Sequence, residues 1–414
     1  MQLPDDFVQQ TRRTFGEERF ERFLKAMDEE PTVSIRVNPR KAPAMVPVEG
    51  EPVGWCRGGY YLSGSSAFTF DPLFHAGCYY VQEASSMFLD EVLRQHLPQG
   101  TLTALDLCAA PGGKSTLLRS ALTEESLLYS NEPVRKRASI LLENVVKWGY
   151  ERHVVTNNYP RDYRREKMLF DVILCDVPCS GEGMFRKDPD AVGEWSLKNV
   201  AQCQQLQREI VSDAWACLAE GGLLIYSTCT YNTKENEENI SWMMEELDAE
   251  VLPVKTDAAW GITGSLLEGF DAPVYRFIPG FTRGEGLFMA VVRKEERGER
   301  REKEERGERR EERMGARQNR RRNQSGLSIL SPLSTLHSPL SLPLSYPQSL
   351  SYLRGEAIVL PEDAPRGIVG VSFMGHELGQ VKNIGSRANN LYPKEWRIKT
   401  THIPQEYETI LRLA

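Results

Sequence analysis

Apolar positions along the chain change period three times. Near the start, Phe7, Phe15, Phe20, Phe23, Leu24 and Met27 stand among charges at helical spacing. A strand-like run over 33–37 follows and is stopped by Asn38-Pro39. A Pro- and Gly-rich stretch then runs to Ser66, before a helical pattern over 84–96. From Leu102 to about Val292, short apolar runs alternate with amphipathic stretches. They predict strands at 102–107, 127–130, 153–156, 170–176, 223–227 and 287–292, and helices over 114–122, 134–148, 197–218 and 235–247. Gly149 and Gly221-Gly222 stop two of these helices as C-terminal caps. Such alternation predicts an α/β fold, a doubly wound parallel sheet with helices on both faces.

Beyond residue 294 the texture changes. Glu-Glu-Arg-Gly-Glu-Arg-Arg-Glu occurs at 295–302 and again at 304–311, and a Ser/Pro/Leu-rich stretch follows from about 325 to 350. The span 295–350 therefore reads mostly as a flexible, low-complexity linker, its mixed-sign repeats a solvated spacer with an RNA contact by its arginines as the alternative. Short strands are predicted at 357–360 and 367–373 and from His376, with a turn-rich Asn389–Pro393, which makes 351–414 a small β-rich domain. The expected organisation is a 1–95 α+β accessory domain, a 96–294 α/β domain, the linker, and the 351–414 domain.

Composition narrows the class. No run of 18 apolar residues occurs, and the first residues have neither a basic start nor an apolar core, so neither a membrane span nor a secretory signal is expected. Eight cysteines without regular spacing argue for reduced thiols and a cytoplasmic setting. The net charge of −7 argues against nucleic acid as a partner, but residues 293–322 hold 14 Lys/Arg against 9 Asp/Glu, and a local basic groove can still track phosphates. No Cys-x-x-Cys pair or histidine cluster suggests a metal.

Three strand ends carry candidate chemistry. Residues 104–116 read Ala-Leu-Asp-Leu-Cys-Ala-Ala-Pro-Gly-Gly-Lys-Ser-Thr, a strand, a small-residue loop and a helix start at which a ligand can approach the backbone. Glu132, 20 residues after Gly112, can accept two ribose hydroxyls of an adenosine-containing ligand. Gly113-Lys114-Ser115 looks like the tail of a phosphate-binding P-loop, but Cys108 stands where that motif needs glycine. A second strand delivers Asp176, Pro178 and Cys179 to its carboxyl end, and a third delivers Cys229. Two cysteines on separate strand ends beside an aspartate suggest thiol nucleophile chemistry. Cys175, Cys203 and Cys217 read as packing.

These segments resemble the RNA cytosine-5 methyltransferases of the RsmB/RsmF and NSUN family. The resemblance rests on 106–114, 176–181 and 227–230, with Ser34–Pro39 and Val81–Ser86 nearer the start and a PUA-like tail at Asn389–Arg397. It implies a class I (Rossmann-like) fold and S-adenosylmethionine bound by Cys108, Ala109, Ala110, Pro111, Gly112, Gly113, Lys114, Glu132 and Asp176, with Asn158 where the family often has aspartate. It further implies Cys229 as nucleophile at cytosine C6, Cys179 in product release, and Asp176 at cytosine N3. The implied substrate is RNA, small-subunit ribosomal RNA first, with tRNA or a non-catalytic assembly role as alternatives. Arg36, Arg161, Arg164, Arg165, Arg186 and Lys187, with Tyr159, Tyr163 and Phe185 interleaved, are candidate RNA contacts.

Overall fold

The aromatic spacing at the start of the chain folds as two helices, α1 (Asp5–Phe15) and α2 (Glu17–Met27), broken at Gly16, whose φ of 75° suits glycine. In the computed structural model the described residues are 3–64, 67–295, 326–330, 341–400, 404, 406, 407 and 410–414. The two helices do not form a core of their own. They bury Phe7, Phe15, Phe20 and Phe23 against Phe185, Trp195 and Tyr231 of the following domain. Phe7 meets Phe185 edge-on at 5.1 Å, and Phe23 meets Tyr231 at the same distance. A four-stranded sheet, ordered Gly50–Pro52, Gly59–Leu62, Ser34–Val37 and Tyr79–Val81, completes this region. The helical pattern over 84–96 divides into a 3-10 turn, Ser85–Phe88, and α3 (Leu89–His96).

The alternating segment forms the central sheet from β1 (Thr103–Asp106), β2 (Leu127–Asn131), β3 (His153–Thr156), β4 (Phe170–Asp176), β5 (Leu218–Thr228), β6 (Ala249–Val251), β7 (Tyr275–Phe277), β8 (Leu287–Lys294) and β9 (Ile329–Leu330). Their order is β6-β8-β5-β4-β1-β2-β3-β9, with β7 also on β8. The five strands from β5 to β3 are parallel; β8 runs antiparallel to β5, and β9 to β3. Strand residues alternate between two apolar layers, Ala104, Val172, Leu174 and Ile225 on one face and Leu105, Ile173, Leu224 and Tyr226 on the other. Helix α4 (Gly113–Ala121) covers the first face; α5 (Arg135–Trp148) packs over Val155; α6 (Pro160–Arg165), α7 (Leu197–Cys217) and α8 (Glu237–Glu246) cover the second. Each sealed Leu, Ile or Phe contributes ~1.5–3 kcal/mol, so the sheet holds the strand ends in a fixed frame.

The C-terminal unit starts earlier than its strand pattern suggests. Its sheet is ordered Ser341–Pro343, Gly367–Phe373, His376–Asn383 and Ala388–Asn390, and a helix spans Tyr346–Leu353. A capping box between Ser345 and Gln348 begins that helix, so 341–350 belongs to the folded unit rather than to a linker. The strand expected at 357–360 reduces to one bridge between Ile358 and Ala388. Leu411–Leu413 pairs with Met45–Pro47, and Tyr352, Val371 and Val381 share a core with Ile35, Leu73 and Tyr79, which docks the unit on the first domain. Within the expected linker, Ile329–Leu330 also lies on the central sheet. The Arg-rich repeats, 296–325, and residues 331–340 lie outside the described residues.

Candidate active site

Strand order reverses between β1 and β4, and at such a switch point a doubly wound sheet opens a crevice at its carboxyl ends. The loop after β1 is pinned from both sides. Leu107 N–H donates to Leu174 O at 2.9 Å, and Ala109 N–H donates to Asn131 O at 2.8 Å. Asn144 Nδ2 and Arg137 Nη2 donate to the carbonyls of Pro111 and Ala110. Gly112 has φ 117°, and a Cβ there would stand 3.2 Å from Leu141 Cδ1, so this turn needs glycine twice over. It presents the free N–H groups of the first turn of α4.

Two acids stand at these strand ends. Asp106 is buried; its Oδ2 accepts from Ser115 Oγ at 2.5 Å, while Oδ1 has no hydrogen-bond partner among the described residues. Burial pushes the Asp106 carboxyl up to about 7, against the pull of Ser115. Glu132, buried at the end of β2, accepts from Val134 N–H and pairs with Arg137 at 3.4 Å. The two acids fit a ligand that bears hydroxyls and a positive charge, and the helix N-terminus fits a carboxylate on the same ligand.

Asn158 departs from the expected cofactor contact. Its Oδ1 accepts from Ser328 N–H at 2.9 Å and its Nδ2 donates to Ser328 O at 3.2 Å. Both ends of the amide thus hold the incoming strand β9, leaving one N–H and one lone pair for any other contact.

The other half holds the thiols. β4 and β5 are neighbours, so the loops beyond them converge, and Cys179 Sγ lies 3.2 Å from Cys229 Sγ. Cys229 N–H also donates to Cys179 Sγ at 3.3 Å. The hydrogen bond with Cys229, and then burial, pushes the Cys179 thiol well up. Beside them, Lys114 Nζ is 2.9 Å from Asp176 Oδ2, and Ser227 Oγ donates to Asp176 Oδ1 at 2.6 Å. Burial pulls the Lys114 ammonium down, but the Asp176 carboxylate outweighs it and the net shift is upward. The site therefore pairs two adjacent thiols with an oriented carboxylate. Cys175 and Cys217 are core residues as read, and Cys203 is half-buried on α7.

Several proposed RNA contacts are structural. Arg36 is buried, donates to Gln82 Oε1 at 2.8 Å and to Thr116 Oγ1 at 2.6 Å, and stacks over Trp148. Arg186 pairs with Glu285 at 2.7 Å and donates to Ala26 O and Gly284 O. Their charges are spent inside the protein. Tyr163 and Phe185 are likewise buried, as helix-packing rings. Lys187 stands 3.8 Å from Glu285, while Arg161, Arg164 and Arg165 are exposed. Tyr159, half exposed beside Asn158, lies under Arg161. Spacing could not separate the inward arginines from the outward ones, because their partners come from distant elements.

Sequence reading missed Glu182 and Glu235, both buried behind the thiols. It also missed Arg276, which is buried against Glu237 and donates to Tyr231 O at 2.7 Å. Among the described residues no His/Cys/Asp/Glu group could hold a metal, and no helix is long and apolar enough to cross a membrane.

Comparison with known proteins follows the same division of the chain. Residues 95–293 match the 16S rRNA methyltransferase RsmB/F family model, residues 3–84 match that of the N-terminal domain of 16S rRNA methyltransferase RsmF, and residues 339–398 match that of the methyltransferase RsmF PUA domain. Ribosomal RNA small subunit methyltransferase F of Cronobacter sakazakii is 30% identical over 411 residues, 83% of this chain and 84% of the relative. The protein of that name from Pectobacterium atrosepticum is 34% identical over 253 residues, 59% of this chain; the chain spans about half (51%) of that relative. A methyltransferase homolog protein from Pyrococcus horikoshii, of known crystal structure, superposes with a TM-score of 0.59 at 26% identity, covering 70% of this chain and 95% of that one.

Proposed function

Since this chain belongs to the RsmB/F family of 16S rRNA methyltransferases, we propose that it transfers a methyl group from S-adenosylmethionine to C5 of a cytidine in RNA, with 16S ribosomal RNA as substrate and the cytoplasm as its place of work. The observation that carries the cytosine-5 chemistry is the pair of thiols 3.2 Å apart on adjacent strand ends, beside the Lys114–Asp176 pair.

The loop 108–114, with Asp106 and Glu132, would hold the cofactor, whose sulfonium supplies an electrophilic methyl group when bound. The protein's task is to make C5 nucleophilic. Cys229 gives up its thiol proton as Sγ bonds to C6, the C5=C6 pair moves toward C4–C5, and a proton is taken up at N3, where Asp176 steadies it, so that the ring gains one thiol overall. After C5 has gained the methyl group, its proton leaves to a base, the double bond re-forms and the C6–S bond breaks. Cys179 serves that release. The target base must leave its stack to reach this crevice, which favours a loop or an assembly intermediate over a continuous duplex.

Bisulfite mapping of RNA from cells with and without the protein tests the proposal. Loss of 5-methylcytidine at a position in 16S RNA is expected; loss in tRNA would redirect the substrate, and no loss anywhere would refute the activity.

A further inference from the structure

Two buried carboxylates behind the thiols are arranged reciprocally. Glu182 follows Cys179 on the first cysteine loop, yet its Oε2 accepts backbone N–H groups of the second loop, Tyr231 at 2.6 Å and Asn232 at 3.0 Å. Glu235 follows Cys229 on the second loop, yet its Oε2 accepts the backbone N–H of Ser180 on the first, at 3.0 Å. Asn232 Nδ2 links them, donating to Glu182 Oε1 at 3.0 Å and to Glu235 Oε1 at 2.8 Å. The loops also touch directly: Gly183 N–H donates to Cys229 O at 2.8 Å, and a Cβ on Gly183 would come within 2.9 Å of that oxygen.

Resting on the cytosine-5 assignment above, we propose that Glu182 and Glu235 are positioning residues for the two thiols. Together they form a crossed carboxylate clamp in which each cysteine loop grips the backbone of the other. Neither carboxylate touches the sulfurs. They act through Ser180, next to Cys179, and through Tyr231 and Asn232, just beyond Cys229. Burial, and then Glu182, push the Glu235 carboxyl up to about 7. Apolar packing would close the same space without that strain. What carboxylates add is acceptor oxygens aimed at several N–H groups at once, which fixes two loops to a fraction of an ångström.

The test uses the full chain with Glu182→Gln and Glu235→Gln. In the Glu182 variant an amide NH2 replaces an oxygen that accepts from two donors, and in the Glu235 variant it faces Asn232 Nδ2 or the pair Ser180 N–H and Gln207 Nε2, so in both a donor faces a donor. Diamide takes the hydrogens of two adjacent thiols onto its N=N bond and leaves a disulfide, so the rate of Cys179–Cys229 cross-linking reads sulfur spacing without any RNA. Cross-linking should slow at least tenfold, and kcat should fall 10–100-fold with KM for RNA within threefold. S-adenosylmethionine affinity, which depends on the loop after β1, should hold. Wild-type cross-linking rates in both variants would overturn the clamp, whatever the methylation assay gives. Slowed cross-linking with no methylation even in the wild type would keep the clamp and overturn the activity. If a glutamine variant fails to fold, Asn232→Ala, which removes the shared donor, gives the same readout with the same criterion.

Discussion

Asp106 carries a cost that a neutral side chain would remove. Its carboxyl is buried, with one oxygen on Ser115 and the other without a hydrogen-bond partner among the described residues, and burial raises its affinity for a proton from an ordinary 3.8 to about 7. The folded state therefore keeps a proton that the unfolded chain releases near pH 4. Because the native state binds more protons in that window, stability falls as pH rises from about 4 to about 7. A rise of about 3 pKa units corresponds to about 4 kcal/mol of lost stability at neutral pH. Asp106→Asn keeps an oxygen for Ser115 and abolishes the titration, so a gain of roughly 2–4 kcal/mol at pH 7.5 is expected. That is on the order of 5–10 °C in Tm for a domain of this size. Urea unfolding of the two proteins at pH 5, 6, 7 and 8 reads the effect directly. The curves should converge toward low pH and separate toward high pH, and the variant should bind S-adenosylmethionine at least tenfold more weakly. Parallel curves across this range would refute the buried carboxylate.

Lys114→Met removes one partner of a mostly buried ion pair and leaves Asp176 with Ser227. Asp176 keeps some access to solvent, so the loss should be about 1–3 kcal/mol by urea unfolding, below the 3–5 of a sealed pair, while kcat falls at least 100-fold. Gly112→Ala forces a Cβ toward Leu141 at a φ that only glycine adopts freely; calorimetry should show cofactor affinity reduced at least tenfold. For RNA, Arg164→Ala with Arg165→Ala should flatten the slope of log K against log salt by about 1–2. Arg186→Ala should leave the slope unchanged and lower Tm, and an equal change of slope would refute its inward assignment.

Much of this architecture is legible from periodicity. Strands β1 to β5 and helices α4, α5 and α7 fall within a few residues of their expected positions, because a parallel sheet covered on both faces writes itself as short continuous hydrophobic segments, while the short α6 was not foreseen. The cysteines and Asp176 were legible for the same reason, since they sit where those runs end. What spacing could not show was pairing across distance. Arg36 reads as a surface cation until Gln82 and Thr116 close over it. Asn158 reads as a free amide until Ser328, 170 residues away, takes both its ends. Glu182 and Glu235 look like solvent-facing charges in polar loops until Trp195 and Tyr231 close on the first and Gln207 of α7 on the second. The start of the C-terminal unit was legible in Ser345 and Gln348, a capping pair hidden in a Ser/Pro-rich stretch.

The account rests on which sulfur bonds to the pyrimidine. Wild type, Cys229→Ala and Cys179→Ala, each incubated with S-adenosylmethionine and 16S RNA and run on a denaturing gel, decide this in one experiment. A covalent protein–RNA band should accumulate only with Cys179→Ala, and 5-methylcytidine should be released only by wild type. A band or methylated product from Cys229→Ala would contradict the account.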